Sequence, residues 1–256
     1  MNKAPLRIRA VQVRAVAATM KRPLATSTGA VREAALLLID LQTDGGIAGR
    51  SYLFGIGRHN LAPIARLVEA MAEMIKGEEL APLELERKLR ARYTLLGVHN
   101  IVLFAMSGID MAAWDALGQA QGLPLARLLG AAPRPIPAYN SNGLGILPLK
   151  QLEGEAAELV EEGFGAVKLR LGGVTGWLRA AALAQAAGVE MSSHLFPEAS
   201  AHLLAATPTC HWLEFVDWAE PLLAEPFQLS NGHLVAPERP GLGMTWDEKA
   251  LARYAL

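Results

Sequence analysis

After Gly130 the sequence alternates short apolar strands with helical segments, and this alternation constrains the fold more than any other feature. The pattern predicts strands at 136–140, 166–170, 189–192 and 212–215, with helices at 148–162, 175–187 and 198–206. Strands that alternate with helices are typical of parallel βα units. About four such strands are too few to close a barrel of eight-strand geometry, so an open or shared sheet is expected.

The first 130 residues show a different pattern. Residues 6–16 alternate with period two, and two further strands at 35–41 and 47–54 flank the turn Thr43-Asp44-Gly45-Gly46. Apolar residues then recur at helical spacing over 60–76, 82–93 and 101–121. Three antiparallel strands followed by helices predict an α+β unit.

Charge and cysteine content exclude several classes of function. The chain has 24 basic and 25 acidic residues, without a stretch that concentrates either sign, so we expect neither a nucleic-acid nor a membrane partner. No apolar run reaches membrane-spanning length, and the N-terminus lacks the apolar core of a signal peptide. The single Cys210 cannot form an internal disulfide and is interpreted as a small buried residue. A cytoplasmic globular protein is therefore predicted.

Three stretches of sequence carry a family resemblance. By itself, an alanine-rich segment with two aspartates is typical of an interdomain helix, but residues 105–118 resemble the first signature of the mandelate racemase and muconate lactonizing enzyme family. That segment reads Ala-Met-Ser-Gly-Ile-Asp-Met-Ala-Ala-Trp-Asp-Ala-Leu-Gly. The stretches 49–54 and 172–209 are similar to mandelate racemase itself. The chain is identified on these residues as a member of this family, within the enolase superfamily.

The resemblance implies an α+β capping domain followed by an α/β partial (incomplete) TIM-type barrel, with the site at the C-terminal ends of the barrel strands. The capping domain would occupy 1–130, and strands 1–2 and 7–8 of the family barrel would occupy 131–240. Residues 241–256 would return to the capping domain. Because parallel strand edges would be left exposed, we expect a homo-oligomer.

The resemblance also implies a reaction. The family abstracts a proton alpha to the carboxylate of a small acid, here a 2-hydroxy acid or a sugar acid, in a racemisation or a dehydration. A divalent cation, usually Mg²⁺, stabilises the enediolate that results.

Four residues match the catalytic positions of the family. Lys168 and Arg170 fall on its Lys-x-Lys motif, where the first lysine helps to bind the carboxylate and the second is a base. Arginine is always protonated and is a poor base, so a one-sided reaction is favoured. His194 matches the catalytic histidine, which the family pairs with an aspartate on the sixth strand. Glu214 matches a glutamate that hydrogen-bonds the substrate carboxylate.

Three more residues match substrate-contacting positions. Ser141 follows the first barrel strand, while Thr26 and Tyr52 belong to the capping-domain segments that would form a specificity lid. The alternative is that these are ordinary surface turn residues.

The central part of the family barrel is missing from the sequence. Leu171 leads directly into a segment that in the family follows the sixth strand, and 122 residues from Pro135 to Leu256 are too few for a complete barrel of roughly 250 residues. No Asp or Glu lies between Glu162 and Glu190, although a hard cation requires several converging oxygen ligands. We therefore predict no metal ligands and no activity.

Three interpretations remain open at this point. The chain is a Mg²⁺-dependent enzyme of the family, or a non-catalytic product of an internal deletion near Leu171. The third is a binding module that uses Lys168, His194 and Glu214 for an acidic ligand.

Overall fold

The computed structural model describes residues 5–26, 29–140, 173–187 and 190–255 of the chain. The predicted helix at 148–162 and the predicted strand at 166–170 lie outside these residues, as do Ser141, Lys168 and Arg170. These two elements and three residues therefore stay predictions.

The N-terminal sheet has three antiparallel strands in the order β1-β2-β3. These are β1 (Ile8–Thr26), β2 (Gly29–Thr43) and β3 (Ala48–Phe54). The central strand β2 is buried on both faces, since Leu36, Leu37, Leu38 and Ile39 are all fully inaccessible. β1 continues well beyond the period-two pattern because it pairs with β2 as far as Thr26, with a shift of register between Thr19 and Leu24.

The helices of this half are α1 (Leu61–Ile75), α2 (Pro82–Tyr93), α3 (Asn100–Gln121) and α4 (Leu125–Leu128). The α3 helix lies so close to β3 that a Cβ on Gly49 would stand 2.0 Å from the carbonyl oxygen of Ala112. A Cβ on Gly108 would stand 2.5 Å from Cδ1 at the end of the Ile39 side chain. Gly108 and Ala112 of the signature segment are therefore small because α3 packs closely on the N-terminal sheet.

The length and composition of α3 would suffice to cross a membrane, yet 78% of its most apolar window is buried inside the protein. Such burial is typical of a core helix.

The C-terminal half is built on β4 (Ile136–Asn140), α5 (Gly173–Ala187), α6 (Pro197–Ala205) and β5 (Leu213–Phe215). β4 and β5 pair in parallel. The hairpin β6 (Leu229–Ser230) and β7 (His233–Leu234) meets the other edge of β4 in antiparallel orientation. An α+β capping domain followed by a partial barrel is thus confirmed.

One predicted strand is much shorter than expected. In place of a strand at 189–192, the described residues form a single parallel bridge between Met191 and Cys210. The backbone N–H of Met191 donates to Thr209 O at 2.8 Å, and that of His211 donates to Met191 O at 2.8 Å. This short ladder still aligns the residues around 191 with those that enter β5.

The last segment lies against the first sheet. The helix α7 (Glu248–Tyr254) is followed by a bridge from Ala255 to Val16 of β1. Before it, Trp246 donates its indole N–H to Asp40 of β2 at 3.1 Å. Contacts of this kind tie the end of the chain to its beginning.

A fully buried histidine joins three elements. His202 on α6 accepts a hydrogen bond at Nδ1 from the backbone N–H of Ala126 at 3.1 Å. Its Nε2 is then the protonated nitrogen and donates to Leu242 O at 3.3 Å. Burial lowers the pKa of His202 from 6.5 to about 4, because a charged ring would lose its solvation and its acceptor role.

The first prediction concerns acid stability. Because the pKa of folded His202 lies below its unfolded value, its contribution to stability is complete above pH 6.5 and is lost as the pH falls toward 4. Between pH 6.5 and 4 the free energy of unfolding of the parent should therefore fall by about 3 kcal/mol on account of His202. The variant His202→Asn, whose side chain stays neutral, should not show this fall. Urea unfolding from pH 4 to 7 measures the difference. The same substitution at exposed His233 is the control, and parallel curves for the parent and His202→Asn would contradict the assignment.

Candidate active site

The first aspartate of the signature helix caps another helix. Asp110 is buried and accepts hydrogen bonds from the backbone N–H of Thr175 at 3.0 Å and from its hydroxyl at 2.6 Å. The indole N–H of Trp114 donates to the same hydroxyl at 3.3 Å. Burial raises the pKa of Asp110 to about 6, against the opposing effect of these donors. Asp110 thus satisfies backbone donors at the start of α5, which lies 65 residues further along the chain.

The second aspartate of the signature holds three segments together. Asp115 is fully buried and accepts from the backbone N–H groups of Arg50 at 2.7 Å and Leu242 at 2.5 Å. The side-chain amide of Gln119 donates to it at 2.7 Å. Burial raises the pKa of Asp115 to about 6. In these contacts both aspartates connect elements of the fold, as expected for an interdomain helix.

His194 and Glu214 form the chemical centre of the site. Glu214 lies on β5 and is fully buried, and its Oε2 contacts Nδ1 of His194, whose side chain is 10% exposed. The backbone N–H of Leu195 donates to the same Oε2 at 2.9 Å. The N–H of Glu214 donates in turn to Ser193 Oγ at 2.9 Å, and that of Ser193 donates to Trp212 O at 2.8 Å. The ladder that begins at Met191 therefore sets both side chains in register.

The pairing defines what the histidine can do. A carboxylate only accepts hydrogen bonds, so the neutral ring of His194 carries its proton on Nδ1 and leaves Nε2 as the basic nitrogen. A histidine oriented in this way by a carboxylate has the arrangement of a general base.

A strained turn follows the histidine. Leu195 and Phe196 both adopt left-handed backbone conformations, with φ of 60° and 49°. For residues with a Cβ this conformation costs free energy and persists only where surrounding contacts determine it. The N–H of Leu195 bonds to Glu214, and Ser200 Oγ donates to Leu195 O at 2.8 Å. The two residues that follow the candidate base His194 therefore have a strained backbone.

The capping domain reaches this turn through an aromatic side chain. Tyr52 on β3 is buried, and its hydroxyl donates to Glu198 Oε2 at 2.9 Å. Its ring lies 5.0 Å from that of Phe196. The neighbouring Phe54 packs in the same way on Trp218, with ring centroids 4.5 Å apart. An aromatic layer from the capping domain thus covers the loops that follow His194 and Glu214.

Glu198 is a buried acid that sequence reasoning missed. It lies in the first turn of α6, and burial raises its pKa to about 7, while the hydrogen bond from Tyr52 acts in the opposite direction. Burial and the nearby Glu198 also raise the pKa of Tyr52. The only signal in the sequence was an acidic residue four positions after His194 and directly after Pro197.

The predicted site residues divide into three groups. His194 and Glu214 are brought into direct contact, and Tyr52 lies on the adjoining turn. Thr26 ends β1, where its backbone pairs with Gly29. Ser141, Lys168 and Arg170 belong to the part of the chain that the structure does not describe.

The described residues do not fit a magnesium centre. Among them, no group of three or more His, Cys, Asp or Glu side chains could hold a metal ion. Mg²⁺ requires near-octahedral oxygen coordination and is bound through carboxylates. The His194–Glu214 pair on its own offers one imidazole and one carboxylate that is already hydrogen-bonded.

Two family comparisons cover most of the chain. Residues 8–130 match the mandelate racemase / muconate lactonizing enzyme N-terminal domain, and residues 169–250 match the enolase C-terminal domain-like family. An enolase from Bradyrhizobium, solved with magnesium and mandelic acid, is 31% identical, with a TM-score of 0.90 over 99% of each chain. The chain belongs to the mandelate racemase / muconate lactonizing enzyme family of the enolase superfamily.

Other relatives agree with this membership. An enolase from the alphaproteobacterium BAL199, solved with bound Mg, is 29% identical, with a TM-score of 0.92 over 98% of this chain and 100% of that one. D-galactarolactone cycloisomerase from Agrobacterium fabrum is 29% identical over 195 residues, which are 73% of this chain and 50% of that protein. Further relatives in the family are sugar-acid dehydratases and cycloisomerases. The chain spans half or less of the length of these curated relatives.

The second prediction tests the orientation of the base. In the parent protein the neutral ring of His194 should carry its proton on Nδ1, because Glu214 accepts there. Glu214→Ala removes the acceptor and should abolish this preference, which ring ¹⁵N chemical shifts report. Glu190→Ala, which removes an exposed carboxylate beside His211, is the matched control and should leave the His194 signals unchanged. A parent ring protonated on Nε2 would rule out the pairing.

Proposed function

We propose that this chain keeps the general-base end of an enolase-superfamily site without its metal site. On this proposal it does not, as it stands, abstract the alpha proton of a 2-hydroxy or sugar acid. The observation that carries the proposal is the contact between His194 Nδ1 and Glu214 Oε2.

The contact matters because of what the family resemblance assigns to the two residues. The family's glutamate at the position of Glu214 hydrogen-bonds the substrate, and its histidine takes an aspartate on the sixth strand as partner. In this chain Glu214 Oε2 faces the imidazole and the N–H of Leu195. Glu214 therefore takes over the orienting role of the absent aspartate, and its general-acid role toward a substrate is compromised.

The chemistry adds a second argument. A carbon acid next to a carboxylate is weak, so an enolate intermediate requires positive charge placed where its negative charge develops. In the family that charge is Mg²⁺, and the solved relatives from Bradyrhizobium and BAL199 contain it. The chain has no Asp or Glu from 163 to 189, the region around the missing strands. His194 alone would have to act without this stabilisation.

The remaining residues limit the reaction further. Lys168 is assigned to binding a substrate carboxylate, but Arg170, at the position of the second base, is always protonated. Ser141 and Thr26 are kept as substrate contacts in this proposal, whereas buried Tyr52, whose hydroxyl donates to Glu198, adjoins the site through the turn after His194. Any residual chemistry would therefore be one-sided, with His194 as its only base, as in a dehydration.

We also propose a domain assignment, a compartment and partners for this chain. The region 131–240 is assigned to strands 1–2 and 7–8 of the family barrel, with 1–130 as capping domain and 241–256 as its returning segment. We infer a cytoplasmic homo-oligomer that covers open strand edges, with a small hydroxy acid or sugar acid as the family's ligand and no nucleic-acid or membrane partner.

The third prediction is the absence of alpha-proton exchange. The chain in D₂O, with millimolar Mg²⁺ and a panel of mandelate, galactarate and gluconate, should show no deuterium incorporation above buffer by proton NMR. His194→Asn is the matched control because it removes the base, and a full-length relative is the positive control. Exchange that depends on both Mg²⁺ and His194 would refute the proposal.

A second candidate is a metal-independent acid-binding module. It is favoured by one observation, that Nε2 of His194 has no hydrogen-bond partner among the described residues. Calorimetry with the same acids in EDTA distinguishes the two candidates. Binding that His194→Asn abolishes would support the module. If the chain is a non-catalytic deletion product, no heat of binding is expected.

A further inference from the structure

The Tyr52–Glu198 hydrogen bond is a buried polar contact between the two halves of the chain. Each of the two residues is 4% exposed, and the bond joins β3 of the capping domain to the first turn of α6. A buried carboxylate is tolerated only where a donor compensates for its lost solvation, so the pair is a specific interaction.

The pair lies at the end of the strained turn that carries His194. Leu195 and Phe196 have positive φ, and Glu198 follows them after Pro197. At one end the turn is bound by Glu214, which accepts from the N–H of Leu195 at 2.9 Å. At the other end it is bound by Tyr52, through Glu198 and through the ring of Phe196.

The two attachments have different effects. Glu214 sets which nitrogen of His194 is protonated, but it contacts only one side of the ring. Two successive left-handed residues would relax toward commoner conformations if the far end of the turn were released. That relaxation would move the Leu195 N–H, which shares its acceptor with His194.

We propose that Tyr52 and Glu198 form a positioning clamp, by which the capping domain holds the strained Leu195–Phe196 turn and thereby fixes the placement of His194. Both are positioning residues that act through the turn. The clamp concerns the geometry of the histidine alone and does not depend on whether the chain binds or converts an acid.

The charge state of Glu198 gives the clamp a signature that can be measured. Burial and the neighbouring Glu220 raise the pKa of Glu198 to about 7, from an ordinary 4.5, while the Tyr52 hydroxyl opposes this rise. Glu220 itself is paired with Lys21 at 3.1 Å. Because the folded pKa is the higher one, the protonated pair is the more stable form, and its stabilisation is lost as the pH rises through 7.

The fourth prediction combines hydrogen exchange with NMR. In Tyr52→Phe the amide of Leu195 should exchange about tenfold faster and the His194 ring signals should shift, because the turn loses the buried hydrogen bond that anchors Glu198. In the parent, the NMR chemical shifts of the Leu195 and Phe196 amides should change between pH 6 and 8 with a midpoint near 7. Glu198→Gln, which resembles the protonated acid in shape and charge, should remove this change. Tyr93→Phe removes the hydroxyl of another buried tyrosine and is the matched control.

Several results would overturn the clamp. One is a folded Tyr52→Phe protein with the parent's Leu195 exchange rate and His194 signals. Another is a pH-dependent change that persists in Glu198→Gln. If neither variant folds, the parent decides: the amide signals of Leu195 and Phe196 should change at the pH at which the Glu198 carboxyl ¹³C signal titrates, and amides that do not follow that titration would contradict the clamp.

Discussion

Buried carboxylates joined to donors from distant parts of the chain are the interaction on which this structure depends. Asp110, Asp115, Glu198 and Glu214 are all nearly inaccessible, and each accepts hydrogen bonds from an element far away in sequence. A carboxylate without such donors would be very costly to bury, so each one specifies which segments must meet. The raised pKa of Asp110, Asp115 and Glu198 is the measure of that cost.

The same constraint explains how the partial barrel keeps an ordered site. Asp115 binds the backbone of β3 and of the C-terminal segment, and Asp110 binds the start of α5, so the capping domain forms the frame against which the barrel segments are placed. Within that frame, the ladder from Met191 to β5 brings His194 to Glu214. The partial barrel therefore keeps an oriented histidine.

Much of the first domain could be predicted from the sequence. The period-two pattern and the helical spacings indicated three strands and three helices, and α2 was expected at the residues it occupies. The extension of β1 to Thr26 could not be predicted, because its last residues do not alternate and are extended through pairing with β2. Of the strand expected around 189–192, the described residues form only the bridge at Met191, because an alternating pattern does not by itself supply a pairing partner.

By itself the sequence determined the family, the order of the two domains, and His194 and Glu214 as candidate residues, because these depend on local motifs and on periodicity. Only the tertiary structure decided that His194 and Glu214 contact each other, that Tyr52 donates to Glu198, and that the signature aspartates hold elements together. The physical reason is that a hydrogen bond between residues 20 or 146 positions apart is set by how strands and helices pack. Sequence spacing carries no record of that packing.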